Sequence, residues 1–216
     1  MSQKEAGSIR LAGTLAIAGL LSGLALAGIY QATLPRIERN QAEALRKAVF
    51  RVLPGTTKIR TLVLKEGKLV PYTGPEGKKP KGEALYQGLD SAGKLVGTAI
   101  PAEGPGFADT IYLLYGFNSE KKIIVGMEVL SSRETPGLGD KIGLDPHFLA
   151  NFKALEVEPP ILAVKPGKKT QPNQVDTISG ATISSKAVVK ILNGSVERWL
   201  PTLGTTEPVA QGGGTP

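Results

Sequence analysis

The sequence predicts an α+β fold in which a single N-terminal transmembrane helix and a helical stalk precede a globular domain of antiparallel hairpins closed by a C-terminal helix. Three observations predict it. Twenty consecutive residues from Leu11 to Tyr30 carry no charge. Between about residues 58 and 130, strand-like runs alternate with turn signals. After Thr182 the apolar positions return to a helical period.

Taken in order, residues 1–10 form a short N-terminal segment and residues 11–32 the membrane helix. At about 1.5 Å per residue, twenty uncharged residues span a hydrocarbon core of roughly 30 Å. A cleaved signal peptide is the competing reading, because the Ala25/Ala27 pair imitates a cleavage site. The length of the run and its continuation into a second helical pattern favour an uncleaved anchor. Gly19, Gly23 and Ala27 share one face, the small-residue spacing that lets membrane helices approach closely. Pro35 is expected to bend or restart the chain. The stalk helix follows over 36–53, with Ile37, Gln41, Ala44, Leu45, Ala48, Val49 and Val52 in helical period, and Pro54-Gly55 stops it.

The globular domain is placed at 56–202. Lys58–Lys65 and Glu83–Leu89 read as strands on either side of a polar loop, Pro71–Gly82. Lys94–Ile100 follows the turn Ser91-Ala92-Gly93, and Ile111–Phe117 and Lys122–Leu130 flank Asn118-Ser119-Glu120 as a hairpin. Asp145-Pro146 reads as the N-cap and first position of a short helix. The last helix runs from about Thr182 to Leu200, with Val188, Ile191, Leu192, Ser195 and Trp199 on one face and Pro201 ending it. The glycine-rich tail, 203–216, is expected to be disordered. No internal repeat is visible.

Composition narrows the chemistry. The chain has no cysteine, which removes disulfides, thiolate metal sites and cysteine nucleophiles. Its one histidine, His147, has no acidic or histidine cluster beside it in sequence, so no metal site is assigned. The net charge of +7 suits an anionic surface or a phosphate. Aromatics are only 5% and do not interleave with a basic cluster, so nucleic acid is not expected as a partner.

Two motifs stand out. In Asp176-Thr177-Ile178-Ser179-Gly180-Ala181-Thr182-Ile183-Ser184-Ser185, a glycine turn opens the last helix. One reading is plain capping by Ser179 or Thr182. The other uses the same geometry to hold a phosphate, because free N–H groups and the helix dipole favour an anion there and glycine permits close approach. The second motif, Glu134-Thr135-Pro136-Gly137-Leu138-Gly139-Asp140-Lys141, contains a Pro-Gly turn directly after the last hairpin strand.

Ser179-Gly180-Ala181-Thr182, preceded by Asp176, resembles the covalent-flavinylation motif of the FMN-binding domain family. In that family a dedicated flavin transferase, using FAD and magnesium, esterifies the final threonine to the FMN phosphate. The resemblance therefore implies FMN on Thr182, with Asp176, Ser179, Gly180 and Ala181 around it. The run from Glu134 through Thr135, Pro136, Gly137 and Leu138 resembles the loop the same proteins place beside the flavin ring. Gly104–Tyr112 resembles their glycine-rich approach to the central hairpin, and Phe148 and Phe152 their short helix before the basic loop Lys165–Asn173. The motifs keep family order over about residues 10–200. One departure is Ser132, where many members carry a histidine.

The pattern is similar to the G subunit of Rnf-type ion-translocating ferredoxin:NAD oxidoreductase (electron transport) complexes. It implies a membrane-anchored electron-transfer subunit in which no side chain is catalytic. The C subunit of the sodium-translocating NADH:quinone reductase shares the flavin threonine and is the alternative. A membrane-tethered binding or scaffold module without cofactor is a second alternative. Implied partners are the other membrane and peripheral subunits, the flavin transferase and the lipid bilayer of the cell's inner (plasma) membrane. Arg36, Arg39, Arg46 and Lys47 outnumber Lys4 and Arg10, so the flanking charges lean towards a cytoplasmic domain. The resemblance implies the extracytoplasmic side, and the domain is placed there.

Overall fold

A computed structural model describes residues 7–75, 80 and 82–204. By internal contacts the chain divides into two units, residues 1–43 and 44–216.

The first unit is helical. Helix α1 runs Ser8–Val52, and its apolar stretch is long enough to cross a membrane. Its uncharged residues are exposed on every face, as a segment solvated by lipid requires. The chain does not restart at Pro35: the helix continues through it. Proline frees one carbonyl four residues back, at Gln31, and Gln31 is exposed, so solvent or headgroups can satisfy it.

The second unit begins in the last turns of α1 and carries a seven-stranded sheet. The strands are β1 (Lys58–Lys65), β2 (Lys68–Pro71), β3 (Ala84–Leu89), β4 (Leu95–Pro105), β5 (Thr110–Asn118), β6 (Ile123–Ser131) and β7 (Leu155–Glu156). Their spatial order is β2-β1-β3-β4-β5-β6-β7, every neighbour antiparallel. The two turns expected from sequence are built by side chains. Asp90 Oδ1 accepts from the N–H groups of Ala92 and Lys94, and Asn118 Oδ1 accepts from Lys121. Strand β2 is an addition to the expected elements; its hairpin with β1 turns on Glu66 and Gly67, both at positive φ.

After β6 come a 3-10 turn (Gly139–Gly143) and helix α2 (Pro146–Ala150), capped by Asp145 as expected. A small parallel pair, β8 (Leu162–Val164) and β9 (Gln174–Asp176), then leads to α3, Thr182–Gly204. Helix α3 passes Pro201 rather than ending there. Trp199 and Leu203 lie one turn apart and are both buried, so packing carries the helix across the missing hydrogen bond. Residues 205–216, which hold most of the tail expected to be disordered, lie outside the described residues.

The central strands are buried on both faces. Leu85, Ile100, Leu113, Tyr115, Phe117 and Ile124 pack with Val188, Leu192, Val196 and Trp199 of α3 and with Phe148 and Phe152. On the opposite face Tyr86, Ala99 and Leu114 pack with Ala48, Val49, Val52 and Leu53. That second contact depends on a trench of glycines. Gly88 pairs with Gly97, and Gly116 with Gly126, in adjacent strand pairs of the sheet. A Cβ on Gly97 or Gly116 would meet the Leu53 side chain at 2.9 or 2.8 Å, and one on Gly126 the Val52 carbonyl oxygen at 2.8 Å. Glycine in these strands makes room for a helix end.

Candidate functional site

The two motifs converge at the start of α3. Gly180, at φ +81, turns the chain into the helix, and a Cβ placed on it would lie 3.8 Å from Leu138 of the Pro-Gly loop. Residues 138 and 180 are thus neighbours in space.

Buried hydroxyls secure the turn. Ser185 Oγ accepts from the Ile178 N–H at 3.1 Å and donates to the Ala181 carbonyl at 2.8 Å. Thr177 Oγ1 donates to the Val164 carbonyl at 2.9 Å, and Ser184 donates to Glu134. Thr177, Ser184 and Ser185 are all buried. Ser179 and Thr182 are exposed, and among the described residues neither hydroxyl is engaged in a hydrogen bond. Neither acts as the side-chain cap that the plain reading expected. Thr182 is the first residue of α3, where the N–H groups of the opening turn have no helical partner. An exposed hydroxyl there suits a phosphoester, whose charge the N–H groups and the dipole would stabilise.

Glu134 is the hub of the site. It is buried, at 4% exposure. One carboxylate oxygen accepts from the N–H groups of Phe107 and Ala108, each at 2.9 Å, and the other from Ser184. One side chain thereby ties the β4–β5 turn, the Pro-Gly loop and α3. Burial alone would push its pKa up; the bonds from Ser184, Ala108, Phe107 and Asp109 outweigh that and hold the group below the ordinary carboxylate value. The resemblance singled out Glu134 as a site residue, but its link between the Gly104–Tyr112 segment and the helix has no signal in the sequence.

The other expected residues take distinct places. Thr135, Pro136, Gly137 and Leu138 are exposed on the loop, with Gly137 at φ +76. The Thr135 carbonyl accepts from Leu138 N–H at 3.1 Å, closing the turn. Ala181 is buried under the turn. Asp176 is committed to the basic loop: its Oδ1 accepts from the N–H groups of Lys168 and Lys169, so it shapes that loop. Ser132 Oγ lies 3.5 Å from the Glu134 N–H. Phe107, Leu138 and Ile183 are large, apolar and exposed. Each belongs to a segment that contains Glu134, is bound by it or borders Thr182, and together they are apolar surface of the kind a flat aromatic ligand could cover.

Residues 106–197 match the FMN-binding domain family. The chain is 33% identical over 186 residues to the G subunit of the ion-translocating oxidoreductase complex of Methanosarcina acetivorans, covering 85% of this chain and 90% of that one. The chain belongs to the family of ion-translocating oxidoreductase complex G subunits. A further relative, at 27% over 184 residues, is the G subunit of the proton-translocating ferredoxin:NAD(+) oxidoreductase complex of Clostridium ljungdahlii, with 85% of this chain and 87% of that one covered. Among solved structures, NqrC of Shewanella oneidensis aligns with TM-score 0.60 and 18% identity over 77% of this chain and 99% of that chain. The C subunit of the Na(+)-translocating NADH-quinone reductase of Parabacteroides distasonis aligns with TM-score 0.62 and 20% identity, over 80% and 96%. Those likenesses establish the α+β fold. Sequence places the chain with the G subunits, so the quinone-reductase reading is the weaker one.

Proposed function

We propose that this subunit carries FMN as a phosphoester on Thr182 and relays electrons within an Rnf-type, ion-translocating ferredoxin:NAD oxidoreductase complex. The observation that supports the attachment is the division of hydroxyls in the motif. Thr177, Ser184 and Ser185 are buried and committed, which leaves Thr182 exposed at the first position of α3. Ser179, also exposed, precedes the Gly180 turn and lies outside the helix.

Bound FMN would supply reversible redox chemistry at near-neutral pH. The protein's part is to hold it. The opening N–H groups of α3 would hold the phosphate, Gly180 would let it approach the backbone, and the exposed Thr135–Leu138 loop with Phe107 and Ile183 would offer surface to the ring. Asp176 acts indirectly, by fixing the Lys165–Asn173 loop next to β9. No side chain is assigned a bond-breaking role, so turnover belongs to the assembled complex and not to this subunit alone.

Loading needs a separate transferase. In that step the Thr182 oxygen would form the phosphoester to FMN as the pyrophosphate bond of FAD breaks, AMP would leave, and the hydroxyl proton would be lost to the transferase. Among the described residues no acidic cluster could hold the magnesium this step uses. The exposed apolar part of α1 anchors the protein in the inner membrane, with the domain on the extracytoplasmic side.

Thr182→Val is close to isosteric and tests the attachment. Co-expressed with a flavin transferase, the wild type is expected to give a fluorescent band on a denaturing gel and the variant none. Wild type from a host without the transferase is expected to be dark. A fluorescent Thr182→Val band would move the attachment elsewhere, Ser179 first, and a fluorescent wild type from the transferase-free host would show self-loading.

A further inference from the structure

The motif glycines Gly106 and Gly139 are not at positive φ, so conformation does not explain them. Their surroundings do. A Cβ on Gly106 would overlap the first carboxylate oxygen of Glu134 and come within 2.7 Å of the Asp109 carbonyl. A Cβ on Gly139 would lie 2.6 Å from the second oxygen, 2.9 Å from Glu134 Cβ and 2.8 Å from Ser184 Oγ. Both glycines line the slot that holds one side chain. That slot brings together segments 27 and 50 residues away from Glu134 in sequence.

We infer that Glu134 is a positioning residue for the flavin: it clamps the Phe107–Ala108 turn onto the first turn of α3, and so sets the spacing between the apolar surface and the attachment threonine. The inference rests on FMN being attached at Thr182. Glu134 itself is 4% exposed and both its carboxylate oxygens are engaged, one by Phe107 and Ala108 and the other by Ser184, so it acts through what it holds. Phe107 is fixed by its own N–H, and its exposed ring follows that backbone. Ser184 follows Thr182 by two residues, and its bond to Glu134 sets how the first turn faces the loop. Geometry, rather than charge, is what the clamp contributes. A glutamine can therefore replace it: its carbonyl oxygen accepts from Phe107 and Ala108, and its amide donates to Ser184, whose oxygen accepts equally well.

The test uses the full-length protein with flavin transferase, FAD and Mg2+, and follows the rate of covalent loading and the near-UV and visible circular dichroism of the loaded flavin. Loss of the hydrogen bonds that Glu134 accepts from Phe107, Ala108 and Ser184 is expected, in Glu134→Ala, to slow loading by about tenfold or more and to weaken the flavin dichroism. Glu134→Gln is expected to recover most of both, which a general loss of stability would not do. Ser184→Ala leaves Glu134 and its two backbone partners in place, and is expected to slow loading about threefold to tenfold. It decides the matter if Glu134→Ala does not fold. Loading and dichroism unchanged in both alanine variants would overturn the clamp. Glu134→Gln as defective as Glu134→Ala would also overturn it, in favour of a role for the charge. Failure of the wild type to load would instead overturn the attachment at Thr182, so the two failures are distinguishable.

Discussion

Gly116→Ala tests the trench that receives the end of α1. The new methyl would overlap the Val52 carbonyl oxygen and lie 2.8 Å from Leu53 Cδ2 and 2.9 Å from the Val52 carbonyl carbon. Two of these three atoms are backbone, so no rotamer change relieves the contact. Overpacking of this kind costs about 1–3 kcal/mol. The lost glycine entropy of the unfolded chain returns about 0.4–1 kcal/mol. A net loss of about 1–2 kcal/mol, at about 2–4 °C per kcal/mol, lowers the melting temperature by roughly 2–8 °C. Leu53→Ala empties the same trench from the helix side and is expected to cost about 2–5 kcal/mol, since Leu53 is fully buried. The assay is thermal unfolding of the full chain in detergent, followed by the emission of Trp199, the only tryptophan, which is buried under the opposite face of the sheet. Gly194→Ala is the control. It sits on the exposed side of α3 with nothing near its missing Cβ, and is expected to stabilise by about 0.5–1 kcal/mol. A Gly116→Ala protein melting at or above wild type would refute the packing argument.

Leu138→Ala or Thr135→Ala is expected to leave flavin attachment intact and shift its midpoint potential, read by redox titration; titrations that overlay wild type would make the loop structural only. Acidification should remove the extra stability that the ionised Glu134 carboxylate adds, while leaving the geometry of the clamp in place. Because its folded pKa is depressed, its contribution is present above the ordinary carboxylate value of about 4.3 and is lost as pH falls through the folded value. The melting-temperature gap between wild type and Glu134→Gln should therefore narrow below about pH 4. Asp109, Arg133 and Asp140 flank the site in both proteins and cancel in that comparison. A gap independent of pH would show that the carboxylate is not the titrating group. Protease added to cells with a permeabilised outer membrane should digest the domain, and full protection would place it in the cytoplasm. Gly19→Leu/Gly23→Leu should reduce co-purification of partner subunits without changing flavin content on Thr182, whereas unchanged assembly would leave those glycines without an interface.

Much of the fold was legible because its signals are local. The uncharged run from Leu11 to Tyr30 is continuous in sequence, and the Asp90 and Asn118 turns and the Asp145 cap each act within about four residues, where side-chain chemistry fixes backbone conformation directly. Neither Pro35 nor Pro201 ends its helix, because the effect of a proline depends on surroundings that are not local. Pro201 is overridden by the burial of Leu203, and Pro35 by an exposed helix that can lose one hydrogen bond to its surroundings.

By itself the sequence determined the anchor, the antiparallel hairpins and the motif that makes Thr182 the expected flavin attachment. It also determined the family, through motifs kept in order along the chain. Only the tertiary structure decided which hydroxyls of the helix-opening motif are buried, that Asp176 serves the basic loop, and that four strand glycines form a trench for Val52 and Leu53. It also decided that Glu134 joins residues 107, 108 and 184. These are contacts between residues that the chain brings together only on folding. A glycine or a glutamate reads the same in sequence whether the space beside it is empty or filled.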